Sequence, residues 1–284
     1  MTGSWTPRAG WPQAAQALAS GHSRIVLFVM PDWPVDYSMR RYLEEASLLL
    51  DESGYSMATY TPHPSGRSRP LWETLNPDVV VGFTPFFPEE LDSLHASGVT
   101  RIIPSPVAPE TGLHDAPALT AGPVPQAEHL HERGRRRVVF AASGDLRLAP
   151  LVHQRGAAAH AAGARLGLEW HDQHTVEGDN ARSLVTRWRD EGVTGVIAYD
   201  DDVAATVVGA AVRAGARVPG DLAVVGHDDS PLASVLVPSL STVRIDTGAL
   251  GRTLAQRALD EVLDRPHEHG HLPVATDLVR REST

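Results

Sequence analysis

The sequence contains no cysteine and no lysine, and it lacks any long apolar run. Without cysteine the chain cannot form disulfides, use a thiol nucleophile or bind a metal through thiolates, which suits a reducing cytoplasm. No stretch approaches the roughly 18 consecutive apolar residues that a membrane-spanning helix needs. The first residues also lack the basic-then-apolar pattern of a secretory signal. We therefore expect a cytoplasmic protein with no membrane partner.

Positive charge is also scarce, because 25 basic residues, all arginine, face 35 acidic ones and the formal net charge is −10. A chain of this sign is by itself a poor binder of nucleic acid. The residues after the first apolar run, Met30–Pro34, contain no glycine, which excludes a phosphate-binding loop at that place. No Gly-x-Ser-x-Gly nucleophile motif is found. The clustered residues Asp200–Asp202 and Asp228 with Asp229 could ligate a metal in principle, but no ordered nucleophile and base accompany them. We therefore expect that the chain is not an enzyme and that it binds no cofactor.

Short apolar runs alternate with helical patterns along the 284 residues, a length sufficient for one large or two medium domains. Arg24–Met30 and Val79–Phe83 are typical of buried parallel strands, and Ser38–Ser53 has the apolar spacing of a helix. The stretch Pro104–Pro125, with six prolines and two glycines, interrupts this alternation. A second series begins at Gln126. The pattern predicts an α/β fold with two doubly wound parallel sheets and helices on both faces.

The most informative stretch is Gly215–Ile245, which reads GARVPGDLAVVGHDDSPLASVLVPSLSTVRI. Its apolar strand, Leu222–Val225, stops at Gly226 and is followed by two carboxylates, Asp228 and Asp229. Polar groups at the carboxyl end of a strand lie where open α/β sheets bind ligands. We therefore expect a ligand site at this edge.

This stretch resembles the effector-binding core of bacterial transcription regulators of the lactose-repressor (LacI/GalR) family. Three further segments, Gln126–Gly144, Asp200–Ala204 and Leu272–Thr284, resemble the same family in the same order, so that the likeness covers nearly the whole chain. The resemblance implies two similar doubly wound lobes of the type I periplasmic-binding-protein-like kind. Crossover strands would join the lobes, and the ligand cleft would lie between them.

The resemblance also predicts domain boundaries. The N-terminal lobe would comprise residues 24–122 plus 246–265, and the C-terminal lobe residues 123–245 plus 266–284. Residues 1–23 would form a hinge-like N-terminal segment, in which Trp11–Ser23 resembles the family's hinge. That hinge wedges a leucine into the minor groove of operator DNA. Leu18 matches the leucine position, and a frayed tail is the alternative. Because ten residues precede Trp11, the family's helix-turn-helix headpiece is absent from this sequence. We expect operator DNA to be a partner only through such a headpiece. A chain trimmed to the effector-binding core explains the missing headpiece better than a protein that has lost DNA binding.

The resemblance assigns effector-binding roles to residues of the second series. Asp228 matches the strand-end aspartate that accepts hydrogen bonds from ligand hydroxyls, with a turn-capping role as the alternative. Asp201 matches a second family aspartate, with helix capping as its alternative. Asp200 replaces an asparagine, which removes a donor and adds charge. His153 stands where the family has an effector-gripping arginine, and we expect Arg155, two positions on, to point to another face of the helix.

Four residues of the first series complete the predicted site. Asp32 lies at the lip of the first lobe, and Tyr37 stands at an aromatic position that would stack on a sugar ring. Thr84 and Phe86 follow the third strand and would line the cleft or simply shape a loop. A separate motif, His267–His271, has a metal-like composition, but it lies between proline and glycine without a helical scaffold, which favours adventitious binding.

The leading hypothesis is the ligand-sensing and dimerisation core of a LacI-type regulator, which binds a small polar effector as a homodimer and controls DNA binding allosterically. The exchanges at positions 153 and 200 favour a neutral sugar or polyol, or an amino sugar, over a phosphorylated one, because a phosphate would lack its arginine fork unless other arginines supply it. The alternative is a free-standing solute-binding protein. The missing headpiece favours this alternative, and the missing signal peptide opposes it.

Overall fold

A computed structural model describes residues 23–62, 69–104, 117–266 and 275–284. These residues form two compact units. Unit 1 holds described residues 23–32, 42–62, 69–104 and 251–266, and unit 2 holds 33–41, 117–250 and 275–284. Leu18 and the rest of the predicted hinge up to residue 22 lie outside the described residues, as does the His267–His271 motif. The lobe boundaries stay a prediction. Residues 33–41, assigned to the first lobe from the sequence, group with unit 2.

Unit 1 is built on a parallel sheet with the strand order β2-β1-β3-β4. Its strands are β1 (Ile25–Val29), β2 (Ser56–Tyr60), β3 (Val79–Gly82) and β4 (Ile102–Ile103). Its helices are α2 (Trp72–Leu75), α3 (Pro88–Ala96), most of α1 (Tyr37–Glu52) and most of α10 (Thr247–Val262). Strands β1, β3 and β4 are largely buried because helices cover the sheet, as expected for parallel β-structure, whereas the edge strand β2 is partly exposed.

The core of unit 1 gathers apolar side chains from the sheet and from helices α2 and α3. Leu27, Val80, Trp72 and Leu94 are buried together there. Helix α3 begins at Pro88, whose missing N–H costs nothing at a first helical position. The main-chain N–H of Phe87 donates to the Glu90 carboxylate at 2.9 Å, which satisfies one donor at the start of the helix.

Unit 2 is built on a larger sheet with the order β10-β9-β8-β7-β5-β6. Its strands are β5 (Arg137–Ser143), β6 (Glu169–Val176), β7 (Gly195–Ala198), β8 (Ala223–His227), β9 (Ser241–Ile245) and β10 (Thr276–Val279). The strands are parallel except β10, which runs antiparallel to β9. This edge strand departs from the all-parallel expectation, and antiparallel edge strands are common in sheets of this kind.

The helices of unit 2 follow the strands in alternation. They are α4 (Pro117–Thr120), α5 (Pro123–Glu132), α6 (Ala149–Arg165), α7 (Ala181–Asp190), α8 (Asp201–Arg213) and α9 (Pro231–Val235). Helices α4 and α9 are additional to those that the sequence pattern predicts. In α9, Pro231 stands in the first turn, where the fixed φ of proline is favourable. No helix in the described ranges is long and apolar enough to cross a membrane.

Candidate functional site

The candidate site lies at the edge of the unit 2 sheet where β7 and β8 end. These two strands are paired neighbours, with Ile197 opposite Val225. Residues Asp200–Asp202 follow β7 and begin α8, and residues Asp228–Ser230 follow β8. Because parallel strands end at the same edge, their polar ends come together, as the sequence predicted.

Asp228 lies at this edge between a histidine and an arginine. Its Oδ1 accepts a hydrogen bond from Nδ1 of His227 at 2.7 Å and lies 4.0 Å from Nη2 of Arg155. Burial alone would raise the pKa of Asp228, but the His227 ring, Arg155 and a hydrogen bond from Ser38 lower it to about 2. Burial and the charge of Arg155 lower the pKa of His227, whereas the Asp228 carboxylate raises it. Asp228 is therefore an ionised acceptor that is still partly open to solvent.

Arg155 provides the positive charge beside Asp228, contrary to the expectation that it faces elsewhere. Its side chain is buried, with Nε donating to the Leu119 carbonyl and Nη1 to the Tyr199 carbonyl, both at 2.9 Å. Its guanidinium also lies 4.7 Å from the centre of the Tyr199 ring. His153 is exposed on the same helix. The structure thus brings Arg155, and not His153, to the carboxylates.

The sequence held a signal for this arrangement. Leu151, Val152, Gly156 and Ala159 are the buried positions of this part of α6, and Arg155 falls among them at helical spacing. Counting from these apolar positions, rather than from the family's arginine position, would have placed Arg155 on the inner face.

Asp200 lies at this edge and caps α8, a role that the sequence had offered as the alternative for Asp201, and its contact with a ligand stays a prediction. Its Oδ1 accepts a hydrogen bond from the main-chain N–H of Val203 at 2.7 Å, as an N-cap does. Burial, together with the charges of Asp228 and Asp202, raises the pKa of Asp200 to about 7. At neutral pH this carboxyl is close to its midpoint, so it can accept or donate a hydrogen bond.

Asp201 is buried and has both oxygens engaged inside unit 2. Oδ1 accepts from the hydroxyl of Thr242 at 2.6 Å, and Oδ2 accepts from the main-chain N–H of Ser230 at 2.7 Å. Burial is the main cause that raises its pKa to about 7. A side chain at Gly226 would overlap Oδ1 of Asp201, which explains the glycine there. This geometry gives Asp201 a role in joining α8 to β9 and to the loop after β8, while its ligand contact stays a prediction.

The segment before α1 adds one residue that the sequence analysis missed. Asp36 precedes α1, and its Oδ1 accepts from the main-chain N–H of Met39 at 2.7 Å. Asp36 keeps solvent access, yet the protein atoms around it and the charge of Asp228 raise its pKa to about 6. The available signal was the aspartate one residue before a predicted helix, which is the usual capping position.

A cavity of about 360 Å³ opens beside Asp228 within unit 2. Tyr37, the predicted stacking residue, lines it together with Asp228, Asp229, Arg244 and Ile245. An aromatic face beside carboxylate and guanidinium groups is a suitable lining for a polar ligand with one flat side.

The other predicted residues belong to unit 1. Asp32 follows β1 and is exposed, and Thr84 and Phe86 follow β3, which pairs with β1. All three therefore lie at the carboxyl edge of the unit 1 sheet. Phe86 packs partly against the core of unit 1. Their contact with a ligand stays a prediction.

Metal binding was not expected for this chain. Within the described ranges, no group of three or more histidine, aspartate or glutamate side chains is arranged to hold a metal ion.

Comparison with known proteins agrees with this architecture. Residues 127–284, more than half of the chain, match the family described as a periplasmic binding protein-like domain. The HTH-type transcriptional regulator MalR of Streptomyces coelicolor is 36% identical over 114 residues, which cover 40% of this chain and 33% of MalR. The lactose operon repressor of Rhizobium radiobacter is 32% identical over 88 residues, which cover 31% of this chain and 77% of that protein. The chain spans about a third of the length of MalR.

A solved structure described as a complex of the transcriptional regulator CelR with cellobiose superposes on this chain with a TM-score of 0.71. It is 20% identical, and the match covers 95% of this chain and 89% of that one. This similarity confirms the predicted fold class. The relatives are named as transcriptional regulators and repressors, which confirms the prediction that the chain is not an enzyme. The chain belongs to the family of periplasmic binding protein-like domains, in the form that transcriptional regulators of the lactose-repressor (LacI) family carry.

Proposed function

We propose that this chain is the ligand-sensing core of a LacI-type transcriptional regulator and that it binds a small polar ligand of the sugar type. The observation that carries the proposal is the pairing of the Asp228 carboxylate with Arg155 at the end of β8. A carboxylate accepts hydrogen bonds from sugar hydroxyls, and a guanidinium donates to them. The cellobiose in the CelR structure supports a ligand of this class.

The charges at the site narrow the ligand class further. The carboxyl groups of Asp36 and Asp200 each interact electrostatically with Asp228 and with Arg155, and Arg155 already donates to two main-chain carbonyls. A phosphorylated or carboxylated ligand would meet an excess of negative charge here. We therefore propose a neutral sugar or polyol, or an amino sugar whose ammonium group would be attracted to the carboxyl groups.

The regulatory part of the proposal follows from family membership. The ligand would prefer one arrangement of the protein and so shift its population. In the cytoplasm, this shift would change the affinity of a homodimer for operator DNA through a DNA-binding segment of the longer regulator.

A thermal-shift experiment tests the ligand proposal. Cellobiose, lactose, ribose, glucosamine and glucose 6-phosphate would be added to the parent chain, to Asp228→Ala, and to Asp190→Ala as an exposed control at the end of α7. A ligand at about 100 times its dissociation constant adds about 2.7 kcal/mol to the free energy of unfolding. We expect a shift with a neutral or amino sugar that Asp228→Ala abolishes and Asp190→Ala preserves. No shift with any compound, or a shift that survives in Asp228→Ala, would reject the proposed site.

A second experiment separates the regulator from a free-standing solute-binding protein. The full gene product would be mixed with DNA from its own promoter region, with and without the sugar that shifts the melting temperature. A regulator is expected to bind this DNA with an affinity that the sugar changes. Sugar binding without any DNA binding would favour the solute-binding protein.

A further inference from the structure

We infer that Asp229 is a positioning residue, which sets the orientation of the Asp228 carboxylate. Arg244 and Arg281 in turn hold the Asp229 side chain in place. The inference rests on the proposed function, because it concerns how the same ligand site is built. It gives the two neighbouring aspartates different tasks, although they look equivalent in the sequence.

The first observation is the backbone of the loop. Asp228 has a φ of 99° and Asp229 a φ of 48°, so two consecutive residues with side chains lie in the left-handed region. Such residues are uncommon there, and they persist when surrounding contacts fix the backbone. The N–H of Asp228 donates to the Val243 carbonyl at 2.7 Å, which fixes one end of this turn to β9.

The second observation is the complete engagement of the Asp229 carboxylate. Oδ1 accepts from Nη2 of Arg281 at 2.7 Å, and Oδ2 accepts from Nε of Arg244 at 2.8 Å and lies 2.6 Å from its Nη2. Burial alone would raise the pKa of Asp229, but the two arginines lower it. With two cations on its two oxygens, this carboxylate has its charge compensated inside the protein and is poorly suited to grip a ligand.

The third observation is that both arginines are fixed to β9 and to the segment after β10. Arg244 belongs to β9 itself. Nη1 of Arg281 donates to the Leu240 carbonyl, and the N–H of Arg281 donates to Oγ of Ser241, both at 2.8 Å. Asp229 is therefore tied to β9 from two directions. Because Asp229 is held in this way, it determines the direction in which the side chain of Asp228, one position earlier in the turn, points.

A merely structural role for Asp229 would make a different prediction, and the variant Asp229→Asn separates the two. Asparagine tolerates the left-handed region and has nearly the same size, so this change keeps the turn and removes the charged pairing. The matched control is Asp221→Asn. Asp221 also pairs with an arginine, Arg217, at 2.6 Å, but it precedes β8 and lies outside the loop that carries Asp228.

Two readouts would be measured on the parent chain and on both variants. The ¹⁵N resonances of the His227 ring, assigned through their loss in His227→Gln, report the orientation of Asp228 through the 2.7 Å hydrogen bond between the two side chains. Calorimetric titration with cellobiose, lactose and glucosamine gives the dissociation constant. We expect Asp229→Asn to shift the His227 resonances and to weaken the tightest of these sugars at least tenfold. Asp221→Asn should leave both the His227 resonances and the dissociation constant unchanged.

Unchanged His227 resonances, or an unchanged dissociation constant, in Asp229→Asn would overturn the inference. If none of the sugars binds the parent chain, the proposed function fails, and the His227 resonances alone then decide whether Asp229 orients Asp228. If Asp229→Asn does not fold, Arg244→Gln takes its place. This variant leaves Arg281 on Asp229, and the same shift in the resonances and the same loss of affinity are expected of it.

Discussion

The hydroxyl of Thr242 on β9 donates a hydrogen bond of 2.6 Å to the buried carboxylate of Asp201 at the start of α8. The same carboxylate accepts the N–H of Ser230, so one side chain joins a helix, a strand and the loop that carries Asp228. Buried carboxylates are retained at little cost only when such donors satisfy them. The relationship gives Asp201 a role in building this edge of the sheet, and its contact with a ligand stays a prediction.

Removing the donor should therefore destabilise unit 2. Thr242→Val keeps the shape of the side chain and leaves Oδ1 of Asp201 without its hydroxyl donor, which we expect to lower the free energy of unfolding by about 1–3 kcal/mol. Thr206→Val is the control, because the Thr206 hydroxyl donates only to the Asp202 carbonyl on the more exposed side of α8. Urea unfolding measures both variants. Equal losses in the two would contradict the role given to Asp201.

Stability should depend on pH through Asp200. Its folded pKa, raised to about 7 from 3.8, means that the stability it contributes is fully present below pH 3.8 and is lost as the pH rises through 7. Asp200→Asn keeps an oxygen that can cap α8 and removes the titration. We expect the free energy of unfolding of this variant, relative to that of the parent chain, to rise by about 1–3 kcal/mol from pH 4 to pH 8. Urea unfolding at several pH values tests this, and a constant difference would refute the assignment.

Asp221 provides the control of opposite sign. The Arg217 side chain lowers the pKa of Asp221 to about 2, so its contribution is present above 3.8 and is lost only as the pH falls towards 2. Asp221→Asn should therefore leave the slope of stability between pH 5 and pH 8 unchanged.

Ligand binding distinguishes the roles of the two candidate residues on α6, Arg155 and His153. Arg155→Met removes the guanidinium beside Asp228 and should abolish the melting-temperature shift that the bound sugar produces. It also leaves the carbonyls of Leu119 and Tyr199 without this donor, so the melting temperature of the ligand-free protein should fall. His153→Ala, an exposed change on the same helix, should preserve both. Loss of the sugar-induced shift in His153→Ala would instead support His153 as the ligand-binding residue, as its position in the family pattern predicts.

Packing inside unit 1 depends on a glycine of α10. A side chain at Gly251 would overlap the carbonyl oxygen of Tyr42 on α1. Gly251→Ala should therefore cost about 1–3 kcal/mol through overpacking, despite the helical propensity of alanine. Gly209→Ala on α8, where the nearest atoms belong to the flexible Arg213 side chain, should be neutral or slightly stabilising. Chemical denaturation gives both values, and a stabilised Gly251→Ala would show that α1 and α10 do not approach this closely.

The strands could be predicted because buried parallel strands require consecutive apolar residues, which are easily recognised in the sequence. β5, β7 and β8 each contain an uninterrupted run of buried apolar residues, as expected for parallel strands covered by helices. Helices α4 and α9 could not be predicted in this way. They have four and five residues, too few to show an apolar period, and each begins with a proline.

The site was only partly predictable for a different reason. Asp228 and Asp200 follow directly from the strand ends, because the sheet topology fixes their positions. Arg155 depends on the rotation of a helix, where an error of two positions turns a side chain through more than half a turn. The engagement of Asp201 depends on Thr242, which is 41 residues away in the chain.

A crystal structure of the chain with the sugar that shifts its melting temperature most would locate the ligand directly. We expect ligand hydroxyls within hydrogen-bond distance of the Asp228 carboxylate, with Arg155 beside the ligand and Asp229 still paired with Arg244 and Arg281. A sugar bound away from the end of β8, with no contact to Asp228, would contradict this expectation.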